Sequence, residues 1–214
     1  RINYDANGEN GALLLEPSRT NTAPISELFD QAYSTYYNFN LSPVVTANYG
    51  TSPEGLMNSS RLDTTAANSG WYTDGQSVSS GATYTCSIFA KLVSGSESNV
   101  VRFGFSLNGD KLSRYDLSDG TINLADPNTT SSIEDYGNGW YRLIQTITTT
   151  SSGTLREVLY SYNDAGDYEI YGLQVEAGSY PSSYVPTYGS AVTRSADSCY
   201  ANDVSYAIGQ TEGT

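Results

Sequence analysis

Hydrophobic and polar positions in this chain alternate with a period of two, and no long run carries the helical period. Ala82 to Leu92 shows it best. Tyr84, Cys86, Ile88, Ala90 and Leu92 fall on one side, and Thr85, Ser87, Phe89 and Lys91 on the other. Val101 to Leu107 repeats the pattern, with Val101, Phe103, Phe105 and Leu107 inward and Arg102, Gly104 and Ser106 outward. Asn108-Gly109-Asp110 and Asp119-Gly120 are hairpin turn signals, and between them Tyr115 and Leu117 read inward, Arg114 and Asp116 outward. Residues 101–124 are therefore expected to form an antiparallel meander.

Other stretches carry weaker patterns. From Tyr168, alternation puts Tyr171, Leu173 and Val175 on a buried face opposite Ile170, Gly172 and Gln174. Glu176-Ala-Gly178 ends that strand. Pro181 and Pro186 then forbid a regular ladder, so the tail is expected across a sheet edge with Tyr180, Tyr184 and Tyr188 as pegs. A Gly-rich turn delivers Trp140 and Tyr141 to a strand over 143–149, where the pair reads as a core anchor more readily than as a sugar platform. Gln145 falls on the inward parity of that strand, which requires either a bulge or a buried hydrogen bond. In Leu155 to Tyr162 the parity is open. If Leu155, Leu159 and Ser161 face the core, then Arg156, Val158, Tyr160 and Tyr162 face outward. Asn68 to Gly75 reads as a polar loop presenting Trp71 and Tyr72.

With 214 residues, 38% hydrophobic content and 19 tyrosines, the chain has material for one large core. Its Tyr, Thr, Ser, Gly and Asn content agrees with the alternation: the expected fold is all-β, an antiparallel two-sheet β-sandwich. One module over 1–190 is expected, with 191–214 as a tail or linker toward a following module. The chain begins at Arg1, so it reads as a piece of something longer, and it shows no signal peptide, membrane span or lipidation motif.

The formal net charge of −13 argues against nucleic acid and anionic membranes, disfavours polyanionic glycans unless bound cations bridge them, and leaves neutral glycans open. Histidine is absent, which removes His-based triads and ordinary His zinc sites. Of the two cysteines, Cys86 falls mid-strand and Cys199 in the tail; both a bridge and a buried thiol at Cys86 are open, the thiol being the default.

Several segments carry a resemblance. They are Gly11–Asn21 (GALLLEPSRTN), the turn Ser52-Pro53-Glu54-Gly55, Glu134–Arg142, Gly172–Thr187 (GLQVEAGSYPSSYVPT), Ala191–Arg194 and Asp197. Together they resemble the jelly-roll, carbohydrate-binding-module-like (concanavalin A-like) modules of phage tail fibres, tailspikes and related multimodular bacterial surface proteins. The chain departs from the family at Tyr171 and at Tyr36-Tyr37, where the family often has Trp. The last residues, 208–214, resemble a junction into a following laminin-G-like sandwich. The resemblance implies a virion, extracellular or cell-surface location, and further modules of the same polypeptide as partners. It also implies that Arg19 and Asn21 tie the first strand to its neighbours by hydrogen bonds. Related carbohydrate-binding modules often hold a structural calcium ion between first and last strands, and Glu16 and Glu176 are the matching ligand candidates.

Catalysis is poorly provided for. The Glu-x-Asp-x-x-Glu pattern of sandwich glycosidases is absent, and Glu134, Asp135, Asp164, Asp167 and Glu169 are expected at turns. No motif demands a cofactor. Sugars stack on aromatic rings and need polar partners for their hydroxyls, and the outward positions supply both. The candidate carbohydrate-binding residues are Trp71, Tyr72, Phe89, Arg102, Arg114, Asp116, Tyr160 and Tyr162. The expected function is therefore non-catalytic binding of a neutral polysaccharide or cell-surface glycan. The alternative is a structural or oligomerisation spacer of a virion fibre with no glycan ligand.

Overall fold

The computed structural model describes residues 2–3, 12–13, 15–30, 36–39 and 43–198. Its regular structure is all strand: β1 Ile2–Asn3, β2 Ala12–Leu13, β3 Arg19–Asn21, β4 Tyr36–Phe39, β5 Val44–Thr51, β6 Met57–Asp63, β7 Gly70–Thr73, β8 Gln76–Val78 and β9 Thr83–Leu92. There follow β10 Val100–Ser106, β11 Asp110–Asp116, β12 Thr121–Leu124, β13 Thr130–Asp135, β14 Trp140–Thr148, β15 Gly153–Ser161, β16 Asp167–Ala177 and β17 Val192–Arg194. Among the described residues no helix is long and apolar enough to cross a membrane.

Two antiparallel sheets form the sandwich. One has seven strands in the order β12-β11-β10-β15-β7-β4, with β8 also on β15; the other has six, β13-β14-β9-β16-β6-β5. The residues with inward parity meet between them. Cys86, Ile88 and Ala90 of β9, Leu143 of β14, and Ile170 and Leu173 of β16 face Val101, Phe103, Phe105, Tyr115, Leu155 and Leu159 from the other layer. Each of the large side chains contributes roughly 1.5–3 kcal/mol by leaving water. The meander over 101–124 is present as β10-β11-β12, turning at Asn108-Gly109 and at Asp119-Gly120.

Two buried amides are tied in by hydrogen bonds. Gln145 takes the buried-hydrogen-bond solution: its Oε1 accepts from the Phe105 N–H at 3.0 Å and its Nε2 donates to Ser113 Oγ at 3.2 Å. Cys86 is a buried free thiol; Cys199 lies outside the described residues. Asn21 ties the first strands down as expected. Its Nδ2 donates to the carbonyls of Leu173 and Val185, and its Oδ1 accepts from Ala23 and Val175. Arg19 acts differently, its guanidinium lying 5.0 Å from the Tyr180 ring centroid.

Four sequence expectations need correction. Tyr171 does not share a face with Leu173 and Val175. The register on β9 shifts between Tyr171 and Gln174, around Gly172 at φ +65°, so Tyr168 and Ile170 point inward before the bulge and Leu173 and Val175 after it. Tyr171 is left on the outer face with Phe89 and Trp140. Residues 70–73 are a strand, not a loop: β7 pairs with β15 and β4, and four residues are too few for alternation to declare themselves. The tail after Gly178 crosses the outer face of the six-stranded sheet, not an edge. Gln174 Oε1 accepts from the Val185 N–H at 2.6 Å, and Tyr184 is the one peg inserted, whereas Tyr180 and Tyr188 stay exposed. Finally, residues beyond 190 rejoin the fold, because β17 pairs with β3 and the Asp197 N–H donates to the Glu16 carbonyl. Residues 199–214 lie outside the described part.

Candidate functional site

The outer face of the seven-stranded sheet is assembled by register. Arg102 of β10 lies opposite Arg114 of β11 on one side and Tyr160 of β15 on the other, and Tyr160 lies opposite Gly70 of β7. One step along, Gly104, Val158 and Tyr72 form a parallel row; one further, Asp110, Ser106 and Arg156 form the next. Gly70 is required by close approach, since a Cβ there would lie 2.0 Å from the Leu159 carbonyl oxygen and 2.5 Å from Tyr160 Cβ.

Rings and guanidinium groups interleave along this face. Arg102 Nη1 donates to the Tyr160 hydroxyl at 3.0 Å. The Arg102 guanidinium lies 5.2 Å from the Tyr160 ring centroid and 4.4 Å from that of Tyr162, and the Arg114 guanidinium lies 4.0 Å from Tyr162. Such cation–π contacts hold flat groups in a fixed orientation. The ladder runs into a groove of about 360 Å³ lined by Tyr72, Ser106, Asp110, Arg156 and Val158. Asp116, at the end of β11, accepts from the Ser118 N–H and hydroxyl at 2.9 and 2.6 Å and so holds the following turn.

Of the candidate residues read from the sequence, Tyr72, Arg102, Arg114, Asp116 and Tyr162 share this face; Tyr160 has the same parity but is 5% exposed, packed against Arg102, and offers no ring to a ligand. Trp71 does not: it is 1% exposed, points into the core and stacks on Phe29 with ring centroids 5.6 Å apart. Parity within β7 explains this, since Tyr72 and Trp71 must face opposite ways. Phe89 is on the wrong sheet. It is 4% exposed beneath Tyr171, Tyr184 and Trp140 on the outer face of the six-stranded layer. Ser106 and Arg156 were assigned outward without being singled out, and Asp110 was read as part of a turn; strand order alone brings them to the groove.

Glu16 and Glu176 do not fit a calcium ion. Glu16 pairs with the Arg194 guanidinium and accepts from the Ser183 N–H at 2.7 Å. Glu176 accepts from Gln174 Nε2 and the Ser182 N–H at 2.8 Å each, and from Ser182 Oγ. Both carboxylates therefore face hydrogen-bond donors, and one faces a cation, whereas calcium needs six to eight converging oxygens. Among the described residues no group of three or more acidic or thiol side chains could hold a metal. Burial pushes the Glu16 carboxyl up, but the bonds from Arg194 and Ser183 outweigh it and hold the pKa at about 2.

One further carboxyl stands apart. Glu157 points inward from β15, accepts from Thr73 Oγ1, and borders a cavity of about 50 Å³ together with Gln76. Burial raises its pKa to about 7 despite the Thr73 and backbone hydrogen bonds, which lower it.

No family model matches the sequence, and no curated protein matches it. Among solved structures, the chain is similar to the CBM22-1 and GH10 modules of Clostridium thermocellum endo-1,4-beta-D-xylanase 10B complexed with xylohexaose, with TM-score 0.49 and 11% identity over 79% of this chain. It spans 30% of the length of that xylanase chain. It is also similar to the CBM22-1 xylan-binding domain of Paenibacillus barcinonensis Xyn10C, with TM-score 0.45 and 16% identity over 76% of this chain and 94% of that one. A third is the N-terminal cellulose-binding domain of Cellulomonas fimi beta-1,4-glucanase C, with TM-score 0.39 and 13% identity over 72% and 97% of the two chains.

Proposed function

We propose that this chain is a non-catalytic carbohydrate-binding module that holds a polysaccharide across the outer face of its seven-stranded sheet. The observation that carries the reading is the row of Tyr162, Arg102 and Arg114, with Tyr160 buried against Arg102, beside the groove that Tyr72 lines. Sugar rings offer flat C–H faces to tyrosine and hydroxyls to arginine, serine and aspartate, and this face presents both kinds of partner at successive strand positions. Among the described residues the groove is bordered by a single carboxylate, Asp110. Glycoside hydrolysis needs two carboxyl groups flanking the bond, so binding without cleavage suits the lining better.

The net charge of −13 favours a neutral polysaccharide. A second reading has its own observation: Arg102, Arg114 and Arg156 gather on this one face of an otherwise acidic molecule, which suits a glycan carrying carboxylate substituents. In context, we place the module in a virion fibre or multimodular surface protein, on the strength of the residues Gly172–Thr187 and Gly11–Asn21.

Affinity-gel electrophoresis against xylan, mixed-linkage glucan and a glucuronic-acid-bearing polymer tests the reading. Retardation on at least one gel is expected, reduced about tenfold in affinity by Tyr162→Ala or Arg102→Ala. No retardation on any gel, joined to a trimeric mass in light scattering, would replace the reading with that of a structural spacer.

A further inference from the structure

The outer face of the six-stranded sheet carries a second recess, on the opposite side of the molecule from the glycan face and independent of it. Four rings wall it: Phe89 from β9, Tyr171 from β16 just before the Gly172 bulge, Tyr184 from the tail and Tyr136 from the β13–β14 turn; Pro53 and Glu54 of the β5–β6 turn close it, around about 210 Å³. The rings meet edge to face. Phe89 and Tyr136 have centroids 4.8 Å apart at 79°, Phe89 and Tyr184 6.2 Å at 86°, and Tyr171 and Tyr184 5.4 Å at 61°.

That geometry selects its occupant. A sugar needs a flat platform, and rings set nearly at right angles offer none. A compact, nearly spherical group instead lodges between Tyr136 and Tyr184, over a floor of Phe89 and Tyr171 that are 4% and 1% exposed. Charge points the same way. Glu54 is part of the lining, which among the described residues contains no cation. Behind the rings, Glu27 accepts hydrogen bonds from the hydroxyls of Tyr171 at 3.2 Å, Tyr184 at 3.1 Å and Tyr188 at 3.0 Å. Burial and the neighbouring carboxylates push the Tyr171 and Tyr184 hydroxyls up, so both rings stay neutral and keep their polar ends turned toward Glu27. The nearby Arg142 is buried and engaged, donating to Ser87 Oγ and the Ser182 carbonyl, and its guanidinium lies 5.4 Å from the Phe89 ring centroid, so the open π faces are those of the tyrosines. Negative π faces with carboxylates at mouth and floor attract a poorly hydrated cation.

We propose that this recess binds a quaternary ammonium head group. The volume holds the head group and leaves the rest of its carrier outside, being smaller than the roughly 300–1,000 Å³ of sites that enclose a whole ligand.

Choline titrated into the folded protein, read by amide and ring NMR shifts, tests the assignment. Its neutral isostere 3,3-dimethyl-1-butanol serves as the control. Choline is expected to shift the signals of Tyr136, Tyr171 and Tyr184, with the isostere about tenfold weaker. Tyr136 and Glu54 lie at the surface. Tyr136→Ala and Glu54→Gln should therefore stay folded and each weaken choline about tenfold, while Arg102→Ala, on the other sheet, leaves choline binding unchanged. A trimethyl-lysine peptide and phosphocholine, run in parallel, separate a protein source of the head group from a glycan or lipid one. Equal binding of the isostere, or no shift at saturating choline, would overturn the proposal. So would xylo-oligosaccharides shifting the same signals. None of these outcomes bears on the seven-stranded face.

Discussion

Glu157 and Glu16 are both buried carboxyls, yet their surroundings move them in opposite directions from the ordinary value of 4.5. Glu157 rises to about 7, so the folded protein binds its proton more tightly than the unfolded chain does. Its contribution is complete below pH 4.5 and is lost as pH climbs to 7, a loss of about 3 kcal/mol. Glu16 is held at about 2, so the folded form binds its proton more weakly, and its contribution is complete above pH 4.5 and is lost as pH falls toward 2. Stability from these two groups should therefore peak near pH 4.5. Denaturant melts from pH 3 to 8 check it: Glu157→Gln should flatten the alkaline limb and Glu16→Gln the acid limb. An unchanged slope between pH 5 and 7 in Glu157→Gln would contradict the first half. Neither shift could be read from sequence, because Glu157 owes it to inward parity on β15 and Glu16 to Arg194, which lies 178 positions away.

Among elements, β16 shows how one residue can reverse the meaning of a pattern. Alternation through Tyr171, Leu173 and Val175 is continuous in the sequence, yet Gly172 at φ +65° lets the strand slip by one and sends Tyr171 to the other side. Without that slip Tyr171 would enter the core and the second recess would lose a wall. A Cβ at Gly172 would lie 3.0 Å from Phe89 Cδ2 and 3.2 Å from Tyr184 Cε2, adding crowding to backbone strain. Gly172→Ala should cost about 2–3 kcal/mol. Gly55→Ala also has positive φ but meets nothing within 4 Å, so strain alone applies and about 1 kcal/mol is expected. Midpoints in urea, compared between the two variants, decide it; equal losses would mean that crowding at the bulge is absent. Strands β9, β10 and β11 were legible because alternation runs unbroken through them. β7 was not, because it offers four residues, GWYT, before the chain turns.

For the whole molecule, the two sheets give two outer faces with different chemistry on an acidic body. Arginine and tyrosine interleave on one; tyrosine, phenylalanine and glutamate enclose a recess on the other. Salt separates the two readings of the glycan face. A neutral polysaccharide should be retained equally at about 0.05 and 0.5 M salt, whereas a carboxylate-bearing one should be released at the higher value. Alternation by itself determined that this chain is all-β, which side chains of β9, β10 and β11 face the core and where the meander turns, because a strand's inner and outer sides are set by its own next-but-one neighbours. Only the tertiary structure decided which outer sides lie together. Arg102 and Tyr160 are 58 positions apart and meet through strand order. Phe89 has the outward parity assigned to it, but its strand belongs to the other layer. The physical reason is that parity is a local property of the backbone, whereas strand order minimises the free energy of packing both sheets at once and depends on the whole chain.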